Sequence, residues 1–189
     1  MKNILIILGH PLKNSFCGAL AKNYSAGTRK KGNKVRFLNL GDLKFNPLLK
    51  KGYKEIQKLE PDLIKAQKDI QWANHLVWIF PVWWGSFPAL MKGFIDRTFL
   101  PGFAFKYVDD FKWKKYFKGK SARMVMTMDS FPWYYKIFIR EPASRALRTT
   151  LSFCGVKPIK KTYFGSIMFS SKEKRKKWLR KIKVIGEKD

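Results

Sequence analysis

Apolar residues in this chain occur mainly in short unbroken runs, the first of which is NILIIL at residues 3–8. Such runs are typical of strands that are covered on both faces of a parallel sheet. The second run, VRFLNL, alternates enough to suggest a position nearer a sheet edge. Five strands are predicted in all, at residues 3–8, 35–40, 75–80, 121–130 and 161–169.

Helical patterns separate these runs. Ser15 is a candidate N-cap with apolar residues at helical spacing behind it, and Gly32 closes that segment after a basic last turn. Strands that alternate with helices predict an α/β domain with helices on both faces of the sheet, and no linker or repeat divides residues 1–189. The other predicted helices lie at 61–73, 87–99, 141–155 and 171–183, and an aromatic and basic loop at 101–119.

Composition places the chain among soluble globular proteins, with 46% hydrophobic and 28% charged residues in a length of 189. Its two cysteines, Cys17 and Cys154, form neither a CxxC pair nor a ligand cluster, so no disulfide framework or metal site is predicted. The sequence shows no signal peptide and no apolar stretch of membrane-spanning length. We therefore expect a cytoplasmic protein.

The net charge of +27 is the extreme feature of the composition. The densest run of cations, residues 172–183, also carries Trp178, Leu179 and Ile182 at a spacing that fits one packed face of a helix. The favoured interpretation is a solvated basic face. The alternatives are an anionic partner, such as a membrane surface or an acidic protein, and the phosphates of a cofactor.

Three loops are expected to meet at the carboxyl ends of the predicted strands, which is where parallel α/β sheets bind ligands. The loop GHPLKNSFCGAL offers backbone amides, a serine hydroxyl and a helix N-terminus to a phosphate. It matches neither the GxxxxGK[ST] nor the GxGxxG pattern. The loop FPVWWGSFP offers tryptophan faces to a flat heteroaromatic ligand, and TMDSFPWYY follows the fourth strand.

These stretches, together with GFAF at residues 102–105, resemble the flavodoxin-like NAD(P)H:quinone oxidoreductases, which include DT-diaphorase, the modulator of drug activity group and ancillary subunits of potassium efflux systems. The resemblance spans most of the chain. It implies a three-layer fold with sheet order 2-1-3-4-5, a tightly bound flavin, and a homodimer. It also implies ping-pong transfer of hydride from NAD(P)H to a quinone or a similar flat acceptor.

The resemblance further implies roles for particular residues. His10 and the 15–17 turn would hold the flavin phosphate and ribityl chain, Val82 to Gly85 would wrap the ring, and Thr127 to Ser130 would line its other side. Trp84 would shape the nicotinamide and quinone pocket, and Tyr135 would assist catalysis. The implied cofactor-binding residues are His10, Ser15, Phe16, Cys17, Pro81, Val82, Trp83, Trp84, Gly85, Thr127, Met128, Asp129 and Ser130.

Two departures from DT-diaphorase matter. Met128 and Asp129 stand where that enzyme has a glycine pair, and Glu141 stands where it has the histidine that partners the tyrosine. The short C-terminal region favours FMN over FAD, although FAD stays open. NADH and NADPH, and quinone, nitro and azo acceptors, are not distinguished.

Other interpretations of the same residues stay open. His10 fits an ordinary loop contact, the two tryptophans fit a core or dimer interface, and Cys17 has no visible base partner that would make it catalytic. His75, at the start of an apolar run, is predicted to be structural. Two other function classes are a flavin-bound regulatory subunit of a membrane transporter and, less favoured, a basic nucleic-acid-binding protein.

Overall fold

Seven strands occur in the computed structural model, which describes residues 1–55 and 57–189. Five form a parallel sheet and two short ones form a separate antiparallel hairpin. The strands are Asn3–Leu8 (β1), Lys34–Asn39 (β2), His75–Pro81 (β3), Phe105–Tyr107 (β4), Trp113–Lys115 (β5), Ser121–Thr127 (β6) and Ile159–Phe164 (β7).

The sheet order is β2-β1-β3-β6-β7, which confirms the expected order of five parallel strands. β1 and β3 are almost wholly apolar and are buried along nearly their entire lengths, because neither of their faces meets solvent. β2 pairs only with β1 and exposes several of its residues, as its alternating sequence predicted. The carboxyl ends of β1, β3 and β6 therefore lie side by side.

Helices cover both faces of this sheet, which completes the three layers. One apolar core lies between the sheet and α1 with α6, and a larger core lies on the opposite face beneath α2, α3 and α5. The helices are Phe16–Lys30 (α1), Pro61–Trp72 (α2), Ala89–Thr98 (α3), Pro132–Ile137 (α4), Pro142–Phe153 (α5) and Lys172–Lys188 (α6). In the described part of the chain, no helix has the length and apolarity needed to span a bilayer.

Two strand ends were predicted wrongly. β6 ends at Thr127 and not at residue 130, and β7 ends at Phe164 and not at residue 169. Gly165 explains the second boundary, because a Cβ there would lie 2.5 Å from the Ser130 carbonyl oxygen. The chain turns away at this close approach, and the next residue, Ser166, has φ +55°.

Three other elements also differ from the prediction. The aromatic and basic loop at 101–119 contains the β4–β5 hairpin, in which Phe105 pairs with Lys115. The short helix α4 was not predicted, because Pro132 and the aromatic residues after it show no long apolar periodicity. α6 continues past residue 183 to Lys188, and Gly186 packs it against α1.

The contact between α1 and α6 depends on two glycines. A Cβ on Gly27 would lie 1.9 Å from the Lys183 carbonyl oxygen, and a Cβ on Gly186 would lie 2.4 Å from the Tyr24 carbonyl oxygen. The Thr28 hydroxyl donates a hydrogen bond of 3.0 Å to the Gly186 carbonyl. The two backbones therefore touch directly, with no side chain between them at these points.

A buried polar cluster lies at the opposite end of the sheet from the three convergent loops. The Asp189 carboxylate accepts hydrogen bonds from the Arg123 guanidinium and, at 3.0 Å, from the Tyr24 hydroxyl. His75 shares a 2.7 Å hydrogen bond between its Nδ1 and the Ser121 hydroxyl. Its Nε2 is buried, has no hydrogen-bond partner among the described residues, and lies 3.9 Å from Asp189. The prediction that His75 is structural is consistent with this placement.

Candidate functional site

Two adjoining cavities of about 240 Å³ and 310 Å³ open at the carboxyl ends of β1, β3 and β6. We call the one bounded by α1 the first cavity and the one bounded by α4 the second cavity. Val82, Trp83, Met128 and Asp129 line both. The first cavity is also lined by His10, Ser15, Phe16, Cys17, Pro81, Thr127 and Ile167, and the second by Trp84, Gly85, Ser130, Tyr135 and Ile139.

The structure therefore brings every sequence-predicted site residue to one of these two cavities. Ile139 and Ile167 were missed. Ile167 was assigned to the fifth strand, and the signal that could have excluded this was Gly165, since a glycine within a strand pattern often marks a bend. Ile139 lies in the connection that follows α4, a helix that the sequence pattern did not reveal.

The start of α1 forms one wall of the first cavity. The Ser15 hydroxyl accepts a hydrogen bond of 3.2 Å from the Gly18 amide and donates one of 2.7 Å to the Leu12 carbonyl, so the predicted N-cap is confirmed. The amides of Phe16 and Cys17 belong to the first turn and have no acceptor within the helix. The loop that leads into α1 thus presents a rigid, positively polarised end to the cavity.

Gly18 allows that loop to lie tightly on the helix. A Cβ on this residue would be 1.9 Å from the Lys13 carbonyl oxygen, a distance that no side chain can occupy. The distance between the 10–15 loop and the first turn of α1 is therefore set by direct contact between their backbones.

His10 lies at the edge of the first cavity as a neutral side chain. Its Nδ1 accepts a hydrogen bond of 2.9 Å from the Leu12 amide, which places the ring proton on Nε2. Burial lowers the pKa of His10 and outweighs the opposing effect of this hydrogen bond. The ring packs edge-on against Trp83 with centroids 5.5 Å apart. His10 can therefore donate a hydrogen bond from Nε2 without carrying a charge.

Cys17 and Thr127 close the floor of the first cavity. The thiol sulfur and the threonine hydroxyl oxygen lie 3.2 Å apart, and both side chains are buried. Burial raises the pKa of Cys17 to about 12, despite the hydrogen bond with Thr127. A thiol that stays protonated at neutral pH is a poor nucleophile, which agrees with the expectation that Cys17 is not catalytic.

Trp83 and Trp84 lie in a tight turn at the end of β3. Trp83 and Ser86 exchange backbone hydrogen bonds of 2.8 and 2.9 Å, and the two residues between them, Trp84 and Gly85, both have positive φ, +51° and +75°. Positive φ suits glycine but is strained for tryptophan. The Trp84 side chain is fully exposed at the second cavity, whereas Trp83 is half-exposed and lines both cavities.

The loop after β6 is held by the loop after β7. The Met128 amide donates to the Phe164 carbonyl at 2.9 Å, the Ile167 amide to the Met128 carbonyl at 3.2 Å, and the Met168 amide to the Asp129 carboxylate at 2.8 Å. Asp129, which stands where DT-diaphorase has glycine, thus fixes a neighbouring loop. These bonds place the Ile167 side chain at the first cavity.

Tyr135 lines the second cavity but its hydroxyl is already engaged. It accepts a hydrogen bond of 3.1 Å from the Ala143 amide and lies 3.5 Å from the Gly85 carbonyl. Burial raises the pKa of Tyr135. The hydroxyl therefore connects the tryptophan turn to the start of α5.

Glu141 lies outside both cavities. Its carboxylate accepts hydrogen bonds from the Tyr163 hydroxyl at 2.8 Å, from the Ser144 hydroxyl at 3.1 Å, and from the Lys161 ammonium. Burial works to raise the pKa of Glu141, but the bonds from Lys161 and Tyr163 outweigh it and hold that pKa below its ordinary value. Glu141, which the resemblance placed where DT-diaphorase has the histidine that partners the tyrosine, is thus an anion with structural contacts. Among the described residues, no group of three metal-ligating side chains is present.

Two curated relatives resemble most of the chain. An uncharacterised NAD(P)H oxidoreductase of Haemophilus influenzae is 30% identical over 182 residues, which cover 92% of this chain and 89% of the relative. The ribosyldihydronicotinamide dehydrogenase (quinone) of Mus musculus is 26% identical over 221 aligned positions that cover 100% of this chain and 94% of the relative.

Solved structures show the same architecture. The Smu.1420 protein of Streptococcus mutans superposes with a TM-score of 0.84 at 29% identity, covering 99% of this chain and 100% of that one. An FMN-dependent NADH-azoreductase of Bacillus anthracis, solved in complex with FMN, superposes with a TM-score of 0.78 at 16% identity over 100% and 99% of the two chains, a likeness of fold alone. A family model described as flavodoxin-like fold matches residues 2–185, and the chain therefore belongs to that family.

Proposed function

We propose that this protein is an NAD(P)H-dependent oxidoreductase of the quinone reductase type that works through a bound flavin. The observation that carries the proposal is the pair of adjoining cavities, with a capped helix N-terminus at one end and an exposed tryptophan at the other. The names of the two relatives support an NAD(P)H-dependent activity, and one of them includes quinone.

The first cavity suits the phosphate end of a flavin. The free amides of the first turn of α1 and the Nε2 proton of His10 are hydrogen-bond donors for an anion. Glycine at position 18 keeps these donors in place before any ligand binds. A preformed cradle lowers the ordering cost of binding, so we expect tight retention of the cofactor.

The second cavity suits the flat part of the ligands. Val82 and Met128 provide apolar walls, and the Trp84 indole provides an exposed surface on which a ring can stack. A bound flavin would supply the redox chemistry, taking up hydride from NAD(P)H and passing it to the acceptor. The protein residues bind, orient and desolvate these flat molecules. We propose that donor and acceptor use the second cavity in turn, which is the ping-pong order.

Proton supply does not pass through a tyrosine–histidine relay in this proposal. Tyr135 is positioned by the Ala143 amide and the Gly85 carbonyl, and we assign its hydroxyl to holding the tryptophan turn, because its single proton is directed to the Gly85 carbonyl. Glu141 is committed to Lys161 and Tyr163 and takes no part in proton transfer.

FMN is the cofactor that we propose, with FAD as the alternative. A phosphate-bearing chain would fit the first cavity and one flat ring would fit the second. The FMN bound to the azoreductase of the same fold agrees with this choice. Both cysteines are free thiols, which fits the reducing cytoplasm where NAD(P)H is available.

A homodimer is also part of the proposal. An apolar groove of about 570 Å³ runs between α3, α5 and the β4–β5 hairpin, and Phe87, Ile95, Phe99, Phe105 and Phe153 line it. Apolar surfaces of this kind are typical of the buried centre of an interface. Light scattering after size-exclusion chromatography tests this part, and a monomer at micromolar concentration would contradict it.

The flavin assignment is tested by the visible absorption spectrum of the protein purified without added cofactor. We expect flavin bands that bleach when NADPH or NADH is added anaerobically and return when a quinone follows. The mass of the cofactor released on denaturation distinguishes FMN from FAD. A colourless protein that takes up neither flavin would refute the proposal. If the protein binds a flavin that neither NADH nor NADPH reduces, the alternative of a flavin-bound regulatory protein would be favoured.

A further inference from the structure

Large apolar side chains are exposed beside the second cavity. They lie at the N-cap of α4, on α4 itself, in the connection that follows it, and in the loop 165–170 after β7, and each of those named here is more than half exposed. We call this surface the aromatic face. It is formed chiefly by Phe131, Trp133, Ile137, Phe138, Met168 and Phe169.

The aromatic face is one continuous surface. Trp133 packs against Phe131 and Phe138 with ring centroids 6.2 and 6.1 Å apart. The Ser166 amide donates to the Ser130 carbonyl at 3.2 Å, which joins the loop 165–170 to the start of α4. The face also borders the cavities, because Ile139 lines the second and Ile167 lines the first.

Cations surround the aromatic face. Lys136 and Arg140 are exposed among the aromatic residues of and after α4. Arg175 of α6 donates hydrogen bonds of 2.8 Å to the Ile167 carbonyl and to the Ser170 hydroxyl, and these bonds hold the start of α6 against the loop 165–170. The basic N-terminal half of α6 therefore continues the same surface.

The position of these cations is unfavourable for the helix itself. Lysines at 172, 174, 176 and 177 lie near the positive end of the α6 dipole, with Glu173 as the single acidic residue in the first turn. Among the described carboxylates near them, Glu141 is already paired with Lys161, whereas Asp129 bonds the Met168 amide and keeps its charge, so Asp129 and Glu173 stand against four lysines. The result is a strong local positive potential next to exposed aromatic rings.

Aromatic and aliphatic side chains bordered by lysine and arginine are the composition of surfaces that insert into the interface of a lipid bilayer. A second copy of this chain would bring its own cations to the same place and so be repelled. A nucleic acid would attract the cations but would leave Ile137 and Phe169 without an apolar environment. An anionic phospholipid surface matches both the charge and the apolar side chains.

We propose that the aromatic face and the N-terminal half of α6 dock on the surface of an anionic phospholipid bilayer, with the second cavity open toward the lipid. The docking does not depend on a flavin. A corollary, which rests on the proposed function, is that the acceptor is a quinone dissolved in the lipid, because the mouth of the cavity then lies where such a quinone is concentrated.

Co-sedimentation with vesicles tests the docking, and it needs no bound flavin. We expect the protein to bind vesicles that contain phosphatidylglycerol and not vesicles of phosphatidylcholine alone. The double variant Trp133→Ala/Phe138→Ala should bind about tenfold more weakly, because it loses two interfacial aromatic side chains. Phe169→Ala changes a side chain that is 83% exposed and should shift binding in the same direction without altering α4.

Two lysine pairs separate local docking from general attraction to the net charge. Lys172→Gln/Lys176→Gln should weaken binding about 25-fold, since each cation near an anionic surface contributes about fivefold. Lys65→Gln/Lys68→Gln removes the same charge from exposed positions of α2, on the opposite face of the sheet. This control should change binding less than about twofold, because it lies beyond the range of screened charges.

Equal losses from the two lysine pairs would overturn the proposal, and so would unchanged vesicle binding in the aromatic variants. Tighter binding to duplex DNA than to vesicles, unaffected by those variants, would assign the surface to nucleic acid instead. An altered oligomeric state with unaltered vesicle binding would assign it to a second copy. A protein that docks but binds no flavin would leave this proposal intact and refute only the proposed function.

Discussion

Trp84 is held outside the protein by a backbone conformation that costs free energy. Its φ of +51° is unfavourable for any residue with a Cβ, and its fully exposed side chain recovers nothing by burial. Strain without compensating contacts is typical of positions kept for binding. The resemblance to the quinone oxidoreductases implied a binding role for Trp84, which stays a prediction, but it did not imply this strain, because φ is set by the turn that Trp83 and Ser86 close.

Trp84→Gly should therefore make the protein more stable and less active. We expect the free energy of unfolding to rise by about 1 kcal/mol, because glycine adopts positive φ without strain. Loss of the stacking surface should raise the KM for the acceptor up to about tenfold. Urea denaturation and steady-state kinetics measure the two effects.

Gly85→Ala provides the control for this turn. Its Cβ would meet Pro142 at an ordinary 3.6 Å, so the φ of +75° alone should lower the free energy of unfolding by about 1 kcal/mol. A Trp84→Gly protein that is less stable than the parent would show that the indole makes contacts that matter to the fold.

His75 makes the fold sensitive to mild acid. Burial lowers the pKa of His75 to about 4, from an ordinary value of 6.5. The unfolded chain thus binds a proton between pH 6.5 and 4 that the folded chain does not, so the free energy of unfolding should fall by roughly 3 kcal/mol as pH drops through this range. Urea denaturation at a series of pH values measures the slope.

His75→Asn is the matched variant for this prediction, since it keeps a polar partner for Ser121 and removes the titration. Its stability should vary less between pH 6.5 and 4. Asp189 acts in a separate range: burial opposes the effect, yet the bonds and charge of Arg123 lower the pKa of Asp189 well below 3.8, so its contribution is lost only at more acidic pH. An unchanged slope in His75→Asn would contradict the assignment.

At the scale of elements, the Ser15 cap links the stability of α1 to ligand binding. Ser15→Ala should lower the free energy of unfolding by about 1 kcal/mol through loss of the cap, and it should also weaken flavin binding, because the cap fixes the first-turn amides. Thermal unfolding and fluorescence titration of the apoprotein with FMN measure the two effects.

Ser171→Ala offers a control with the same chemistry at another helix. Ser171 caps α6 by accepting from the Lys174 amide at 3.1 Å, and it lines neither cavity. We expect a similar loss of stability with unchanged affinity for FMN. Equal effects of the two variants on FMN would mean that the start of α1 does not hold the cofactor.

Elements with a strong pattern were predictable from sequence, and those shaped by neighbours were not. The aliphatic runs of β1 and β3 and the capped start of α1 carry their own signals. The end of β7 is set by the close approach of Gly165 to the Ser130 carbonyl, a contact between segments distant in sequence. The loop that places Ile167 at the first cavity depends on the same contact, which is why this residue was missed.

At the scale of the molecule, a net charge of +27 repels itself in the folded state. Adding NaCl shortens the Debye length from about 30 Å at 0.01 M to about 8 Å at 0.15 M. We therefore expect the Tm to rise by several degrees over this range, measured by differential scanning calorimetry. A Tm that falls with salt would mean that attractive ion pairs, such as that of Arg36 with Asp69, outweigh the repulsion.

The glycine contact between α1 and α6 makes the far end of one helix a determinant of the ligand site at its other end. Because Gly27 and Gly186 let the two backbones touch, a methyl group at either position must push α6 outward or tilt it. Arg175, at the start of the same helix, holds the Ile167 carbonyl and would move with it. Alanine in place of Gly27 or Gly186 would therefore displace the loop at the first cavity. A change in cofactor affinity would then arise from a residue that contacts no ligand.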